Sequence, residues 1–206
     1  MKKLTIAIII VLVAVVGLGF YWKFSQKGSE PTEIETEITE LTKVLAQDLE
    51  NKYPETPKAV VKLYARITKC FYEQPLTDEE LNKLVDMSFA LFDEELLALT
   101  PREEYVPKLK AVIKEYSDAK RVITSYEIQD SKSIDKYTYE GRECAKVGLI
   151  YNFKEITTQE KSGGCGKSEE EVCAYYSRYE EFILRKDDNG DWKILVWAES
   201  SVDNEE

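Results

Sequence analysis

Leu4 to Trp22 is a run of nineteen residues without a charge, LTIAIIIVLVAVVGLGFYW. At about 1.5 Å per residue it spans roughly 28 Å, enough for the hydrocarbon core of a bilayer. It is apolar all round, so it predicts a membrane-spanning helix and not an amphipathic core helix. Phe20, Tyr21 and Trp22 crowd one end, where aromatic rings favour the interface. The run is longer than a signal-peptide h-region, and GFYWKFS offers no small-x-small cleavage site. No cysteine follows it, which argues against a lipoprotein anchor. The expectation is a retained signal anchor over residues 4–22, with residues 1–3 as a cytoplasmic tail. Lys2 and Lys3 precede the span and Lys23 and Lys27 follow it. The positive-inside bias with so short an N-tail favours a cytoplasmic N-terminus and an extracytoplasmic C-terminal domain.

Residues 23–40 are rich in Glu, Thr and Ser and read as an acidic stalk. A helical period then begins with Ile34, Ile38, Leu41, Leu45 and Leu49, which predicts an amphipathic helix running to about residue 51. It is either the first helix of the domain or a short coiled coil that pairs two copies. Tyr53-Pro54 ends it, and Thr56-Pro57 starts another helix with an N-cap and a first-turn proline. Val60, Tyr64, Ile67 and Phe71 form its stripe. Thr77 to Glu80 is a capping box, followed by Leu81, Leu84, Val85, Ser88, Leu91 and Phe92 on one face. Thr100 to Glu103 repeats the start signal before Tyr105, Leu109, Val112, Ile113 and Tyr116. Pro107 moves that helix start inward or kinks it. Residues 36–118 thus predict about four helices.

From Arg121 the period changes to two. Val122, Thr124, Tyr126 and Ile128 alternate with Ile123, Ser125 and Glu127. A second strand is expected at about 144–156, with Ala145, Val147, Leu149, Tyr151 and Phe153 on one face. A third is expected at about 173–186. The fourth, at about 191–200, places Trp192, Ile194, Val196 and Ala198 on one side. Asp187-Asp188-Asn189-Gly190 joins the last two as a hairpin. The segments 131–142 and 157–172 read as polar surface linkers. The fold class is α+β, with about four helices packed on one face of an antiparallel sheet of about four long strands. The domain covers residues 53–200, and residues 201–206 form an acidic tail.

This order of elements, closed by RKDDNGDWKILVW (Arg185–Trp197), resembles the cone-shaped domain of the nuclear-transport-factor-two-like superfamily. The chain is also similar to uncharacterised single-pass bacterial membrane proteins, through YPETP (Tyr53–Pro57), KCFYEQ (Lys69–Gln74) and GRECAKV (Gly141–Val147). The resemblance implies a cone-like fold. It carries over no catalytic residue set, because that superfamily holds enzymes, immunity partners, adapters and export-linked binding domains.

Charge and composition narrow the function. The net charge is −11, and the four lysines before residue 30 leave 24 basic against 39 acidic side chains beyond. Such a domain repels nucleic acid and anionic headgroups. There is no histidine. That excludes histidine ligands, histidine bases and the Ser-His and Cys-His nucleophile pairs. No cofactor or metal is expected. Lys161 to Ser168 contains GKS but lacks the first glycine of a phosphate loop. Asp187, Asn189 and Asp191 imitate a calcium loop, but Trp192 and Ala198 stand where glycine and glutamate are needed.

The four cysteines permit bridges outside the cell. Cys165 and Cys173 flank a short loop and are the favoured pair, with Cys70 and Cys144 either buried thiols or a second bridge. The 13 tyrosines include several on strands. Tyr126, Tyr151, Tyr176, Tyr179 and Trp197 are the candidate pocket or contact residues, on the sheet face away from the helices. The leading expectation is a non-catalytic binding or accessory module for a protein or cell-envelope component. The alternatives are a self-associating structural subunit, or a ligand sensor or enzyme using a tyrosine-rich cavity.

Overall fold

The first described helix, α1 (Glu40–Leu45), is capped by Thr39, whose hydroxyl accepts from the Thr42 amide. The computed structural model describes residues 39–163 and 166–200. The expected anchor at Leu4–Trp22, the cytoplasmic tail, most of the stalk, Ile34, Ile38 and residues 201–206 lie outside them. Among the described residues no helix is long and apolar enough to cross a membrane. The helix expected to reach residue 51 stops at Leu45. Asp48 ends the segment by accepting from the Glu50 and Asn51 amides and the Asn51 side chain, a local competitor to helix. Leu41 and Val44 are buried in the domain's own core, and Leu45 and Leu49 pack against it. Leu41, Leu45 and Leu49 thus pack within one chain.

α2 (Pro57–Glu73) begins as the sequence predicts. Thr56 accepts from the Ala59 amide, and Pro57 occupies the first turn, where its missing N–H costs nothing. Its buried set, Val60, Val61, Leu63, Tyr64, Ala65, Ile67, Cys70 and Phe71, is wider than one stripe. This helix meets α1, the sheet and the next helix at once. α3 (Asp78–Ala90) carries the expected capping box: Thr77 accepts from the Glu80 amide at 3.2 Å, and Glu80 accepts from the Thr77 amide at 2.8 Å. Leu91 and Phe92 are buried as expected, but beyond the helix end. The chain there leaves the helix to bond the sheet edge, with Asp93 N–H donating to Ile194 O and Ile194 N–H donating to Leu91 O, both at 2.8 Å.

That detour creates a helix the periodicity did not predict, α4 (Glu94–Leu99), capped by Asp93. The last helix, α5 (Arg102–Asp118), has Pro101 at its N-cap without a side-chain cap bond, so Thr100 to Glu103 is not a second capping box. Pro107 lies inside α5 and does not move its start. Only Leu109 and Tyr116 of its stripe are fully buried.

The sheet has five strands: β1 (Arg121–Ile128), β2 (Asp135–Tyr139), β3 (Arg142–Gly163), β4 (Gly166–Lys186) and β5 (Trp192–Ser200). Its order is β1-β3-β4-β5, all antiparallel, with β2 pairing the start of β3 on the edge that β1 uses further along. β2 corrects the expected linker 131–142. Its hairpin turns at Glu140-Gly141, both with positive φ (49° and 79°), a geometry glycine accepts freely. The linker expected at 157–172 is also strand, the paired continuation of β3 and β4 up to Gly163 and Gly166. The Asp187–Gly190 hairpin forms as expected: Asp187 accepts from the Asn189 and Asp191 amides, and Gly190 sits at φ 88°.

Ala145, Val147, Leu149, Tyr151 and Phe153 are buried under the helices, as the alternation of β3 predicts. The edge strands deviate. A bulge between Ile123 and Ser125 puts Ile123 inward and then Tyr126 and Ile128. A second, opposite the Ile183/Leu184 step, does the same to β5. Trp192 and Ile194 are buried, Val196 turns outward and Trp197 turns in, which corrects the expected common face of Trp192, Ile194, Val196 and Ala198. One extra residue reverses every later side chain of a strand.

Candidate functional site

α2 and α5 cross the sheet without closing completely on it. They leave a cavity of about 330 Å³ at the inner faces of β1, β3, β4 and β5. α2 contributes Tyr64, Thr68 and Tyr72 to it, α5 contributes Tyr105, Lys108, Leu109, Val112 and Tyr116, and the sheet supplies Ile123, Tyr151, Phe153, Arg178, Glu180 and Trp197. Aromatic packing fixes the walls. Tyr64 sits against Phe182 and Trp197, each 5.5 Å away between ring centroids, and Tyr72 stacks on Tyr116 at 4.1 Å.

Two polar groups in this wall are unusual. Tyr151 is 1% exposed, and its hydroxyl is buried without a hydrogen-bond partner among the described residues. Burial pushes its phenol well above the usual range, the charge of Glu180 adds to this, and the nearby Thr68 hydroxyl opposes it without reaching hydrogen-bond geometry. A buried hydroxyl left unpaired costs free energy, so it marks a place where a partner is missing.

Glu180 is the second. Burial pushes its carboxyl up to about 7, the Glu199 charge contributing in the same direction and Arg178 against it. Among the described residues the Glu180 carboxyl makes no ion pair and no hydrogen bond. Arg178 is occupied elsewhere: it pairs with Glu199 at 3.1 Å, meets the Tyr116 hydroxyl at 3.4 Å and lies 5.4 Å from the Phe153 ring centre. Lys108, at the rim, pairs with Glu104.

The raised carboxyl gives a pH prediction. The unfolded chain releases the Glu180 proton near 4.5 and the folded chain near 7. Between these values the native state binds more protons, so its stability falls as pH rises through that window and this contribution is constant above it. Glu180→Gln removes that slope. Urea unfolding at several pH values checks it, and equal slopes in both proteins would refute the burial of the carboxyl.

The expected pocket residues separate. Tyr151 and Trp197 line the cavity, but it lies under the helices and not on the opposite sheet face, because the alternation that buries Tyr151 points it at α2. Tyr126 is half-buried near Arg66 and Glu40. Tyr176 stacks on Phe153 at 5.1 Å, outside the lining. Tyr179 lies on the other face over Gly148, where a Cβ would meet its hydroxyl at 2.7 Å. Sequence reading missed Glu180 and Arg178, although the signal was present. Phe182 and Leu184 fix the inward phase of β4, and counting back in twos reaches Glu180, Arg178 and Tyr176.

The cysteine expectations also change. Cys70 and Cys144 are buried free thiols, and Cys173 is an exposed free thiol. Burial pushes the Cys70 thiol up to about 11, which makes it unreactive. Cys165 lies outside the described residues. The expected pairing of Cys165 with Cys173 therefore falls outside the described residues; residues 166–173 are strand, with Cys173 opposite Ile156. Among the described residues no group of three Cys, Asp or Glu side chains is placed to hold a metal.

A larger groove, about 640 Å³, lies between the end of α2, α5 and β1. Four of the five cations in its lining are matched: Lys110 with Asp78, Lys114 with Asp118, Lys120 with Glu171 and Arg121 with Glu155.

A family model described as Domain of unknown function (DUF6715) matches residues 1–163. No curated protein matches the chain. Among solved structures, the intermembrane space region of chloroplast protein ARC6 aligns at 10% identity with a TM-score of 0.34, over 74% of this chain and 96% of that one. An Ntf2-like protein involved in plasmid conjugation aligns at 8% identity with a TM-score of 0.29, over 66% of this chain and 45% of its own length.

Proposed function

This chain belongs to the family Domain of unknown function (DUF6715), and we propose that its folded domain is a non-catalytic module that binds a small organic molecule in the cavity under α2 and α5. The domain is carried outside the cell on the anchor at Leu4–Trp22. The observation that carries the binding reading is the unpartnered Tyr151 hydroxyl in an aromatic cavity of about 330 Å³. Ligand pockets are mostly apolar with a few placed polar groups, and their volumes begin at roughly 300 Å³. An aromatic wall supplies affinity by burial, and one lone hydroxyl fixes orientation.

Val112 stands at the rim, 38% exposed. Val112→Trp fills the mouth without disturbing the core. We expect it to leave the unfolding midpoint within about 1 kcal/mol of the parent and to abolish binding of small aromatic probes, read by intrinsic tryptophan fluorescence. Unchanged probe binding by a folded Val112→Trp protein would remove the cavity from the function. The near-neutral carboxyl of Glu180 favours a second reading, proton transfer to or from a bound molecule. Chemical turnover of a bound molecule, lost in Glu180→Gln with binding retained, would establish that reading instead.

A further inference from the structure

We infer that the cavity selects an organic cation, an ammonium group carried on an apolar body, held between Glu180, Tyr151 and the surrounding aromatic rings. The inference rests on the ligand-binding reading and names its ligand class.

Three charged side chains line the cavity: Lys108, Arg178 and Glu180. Lys108 is neutralised by Glu104, and Arg178 by Glu199. Glu180 has no partner among the described residues, so the cavity carries one uncompensated negative charge. An anionic ligand would meet that charge in a poorly solvated space. A neutral ligand would leave it unpaired.

Geometry adds to this. The groups facing Glu180 are Tyr64 and Tyr72 from α2, Tyr105, Lys108 and Tyr116 from α5, Tyr151 from β3, Arg178 on its own strand, and Glu199 and Trp197 from β5. Tyr64, Tyr72 and Tyr151 all lie within the field of the Glu180 carboxylate. Aromatic faces are negative and attract cations, most strongly where water is excluded. The Tyr151 oxygen has no donor, and an ammonium N–H supplies one. A bound cation also stabilises the carboxylate, so binding drives the Glu180 proton off when it starts from neutral pH.

The test uses the full-length chain and three probes of one shape: benzylammonium, benzyl alcohol and benzoate. Near pH 8, titration calorimetry is expected to show benzylammonium binding at least about tenfold tighter than benzyl alcohol, with benzoate weakest. Near pH 5, with Glu180 protonated and the probe still charged, the preference is expected to shrink to within about threefold. Around neutral pH, buffers of different ionisation enthalpy should reveal proton release on binding. Glu180→Gln should lose the cation preference and keep its affinity for benzyl alcohol. The wild-type comparison stands even where that variant fails to fold.

Tightest binding by benzoate would assign the selectivity to Arg178 and overturn the inference. Equal binding of benzylammonium and benzyl alcohol would overturn it too, while leaving the ligand-binding reading in place. Failure of all three probes to bind would overturn both.

Discussion

Arg185→Leu is expected to remove about 3–5 kcal/mol of stability, the usual cost of stranding one partner of a buried ion pair. Arg185 Nη2 and Nε donate to the two oxygens of Asp93 at 2.6 and 3.1 Å, a bidentate pair. The side chains are 7% and 2% exposed, so water cannot replace the lost guanidinium. Hydrogen bonding to Asp93 raises the Arg185 pKa further, which keeps the pair ionised. A third bond, to Glu95 at 2.9 Å, adds little because Glu95 is 62% exposed. Asp93 also caps α4 through the Glu95 amide and donates its own amide to Ile194. Losing Arg185 therefore loosens α4 and its hold on the β5 edge together. In Asp93→Ser/Arg185→Leu the cap oxygen remains and no buried charge is left, so most of the loss should return. Urea denaturation of the three proteins measures both effects. A loss below about 1 kcal/mol for the single variant would show that solvent reaches the pair.

Tyr151→Phe should move stability the other way. Most core substitutions destabilise. This one keeps the ring among its neighbours and removes a buried hydroxyl that has no partner. Relief of that desolvation is worth about 1–2 kcal/mol. The same change is expected to weaken binding of an ammonium probe by about tenfold, since one donor–acceptor contact of roughly 1.4 kcal/mol is lost. A protein that becomes more stable as it binds less well is the expected trade at a site built for a ligand. Destabilisation by Tyr151→Phe would mean that the hydroxyl is satisfied in solution, through Thr68 or water, and the case for a missing ligand group would collapse.

How far the chain could be read without its fold depends on the range of each physical signal. The caps at Thr56 and Thr77 act within four residues, and the structure reproduces both. The Asn189-Gly190 turn closes within five residues and forms as read. β3 alternates as its sequence does because it is paired on both sides, which holds its register. The edge strands lack that second constraint. In β1 and β5 a single bulge reverses the inward set, and no local residue preference announced either one. α4 was missed because Leu91 and Phe92 continue the stripe of α3, and only bonding to Ile194 shows that the helix has ended. Residues 157–163 and 166–172 read as loop because they are polar, whereas a cross-strand ladder makes them strand.

The candidate site divides along the same line. The amino-acid sequence by itself determined the α+β class, the starts of α2 and α3, the inward phase of β3, and the absence of any histidine chemistry. Each of those follows from residue identity or from spacing within one element. Tertiary structure alone decided which sheet face holds the cavity, that Arg185 finds Asp93 across 92 residues, and that among the described residues Tyr151 lacks a hydrogen-bond partner and Glu180 a counter-charge. The cavity is made by α2, α5 and four strands that are distant in sequence. The burial that raises the Glu180 carboxyl toward 7 comes from their meeting, and no property of the glutamate or its neighbours along the chain supplies it.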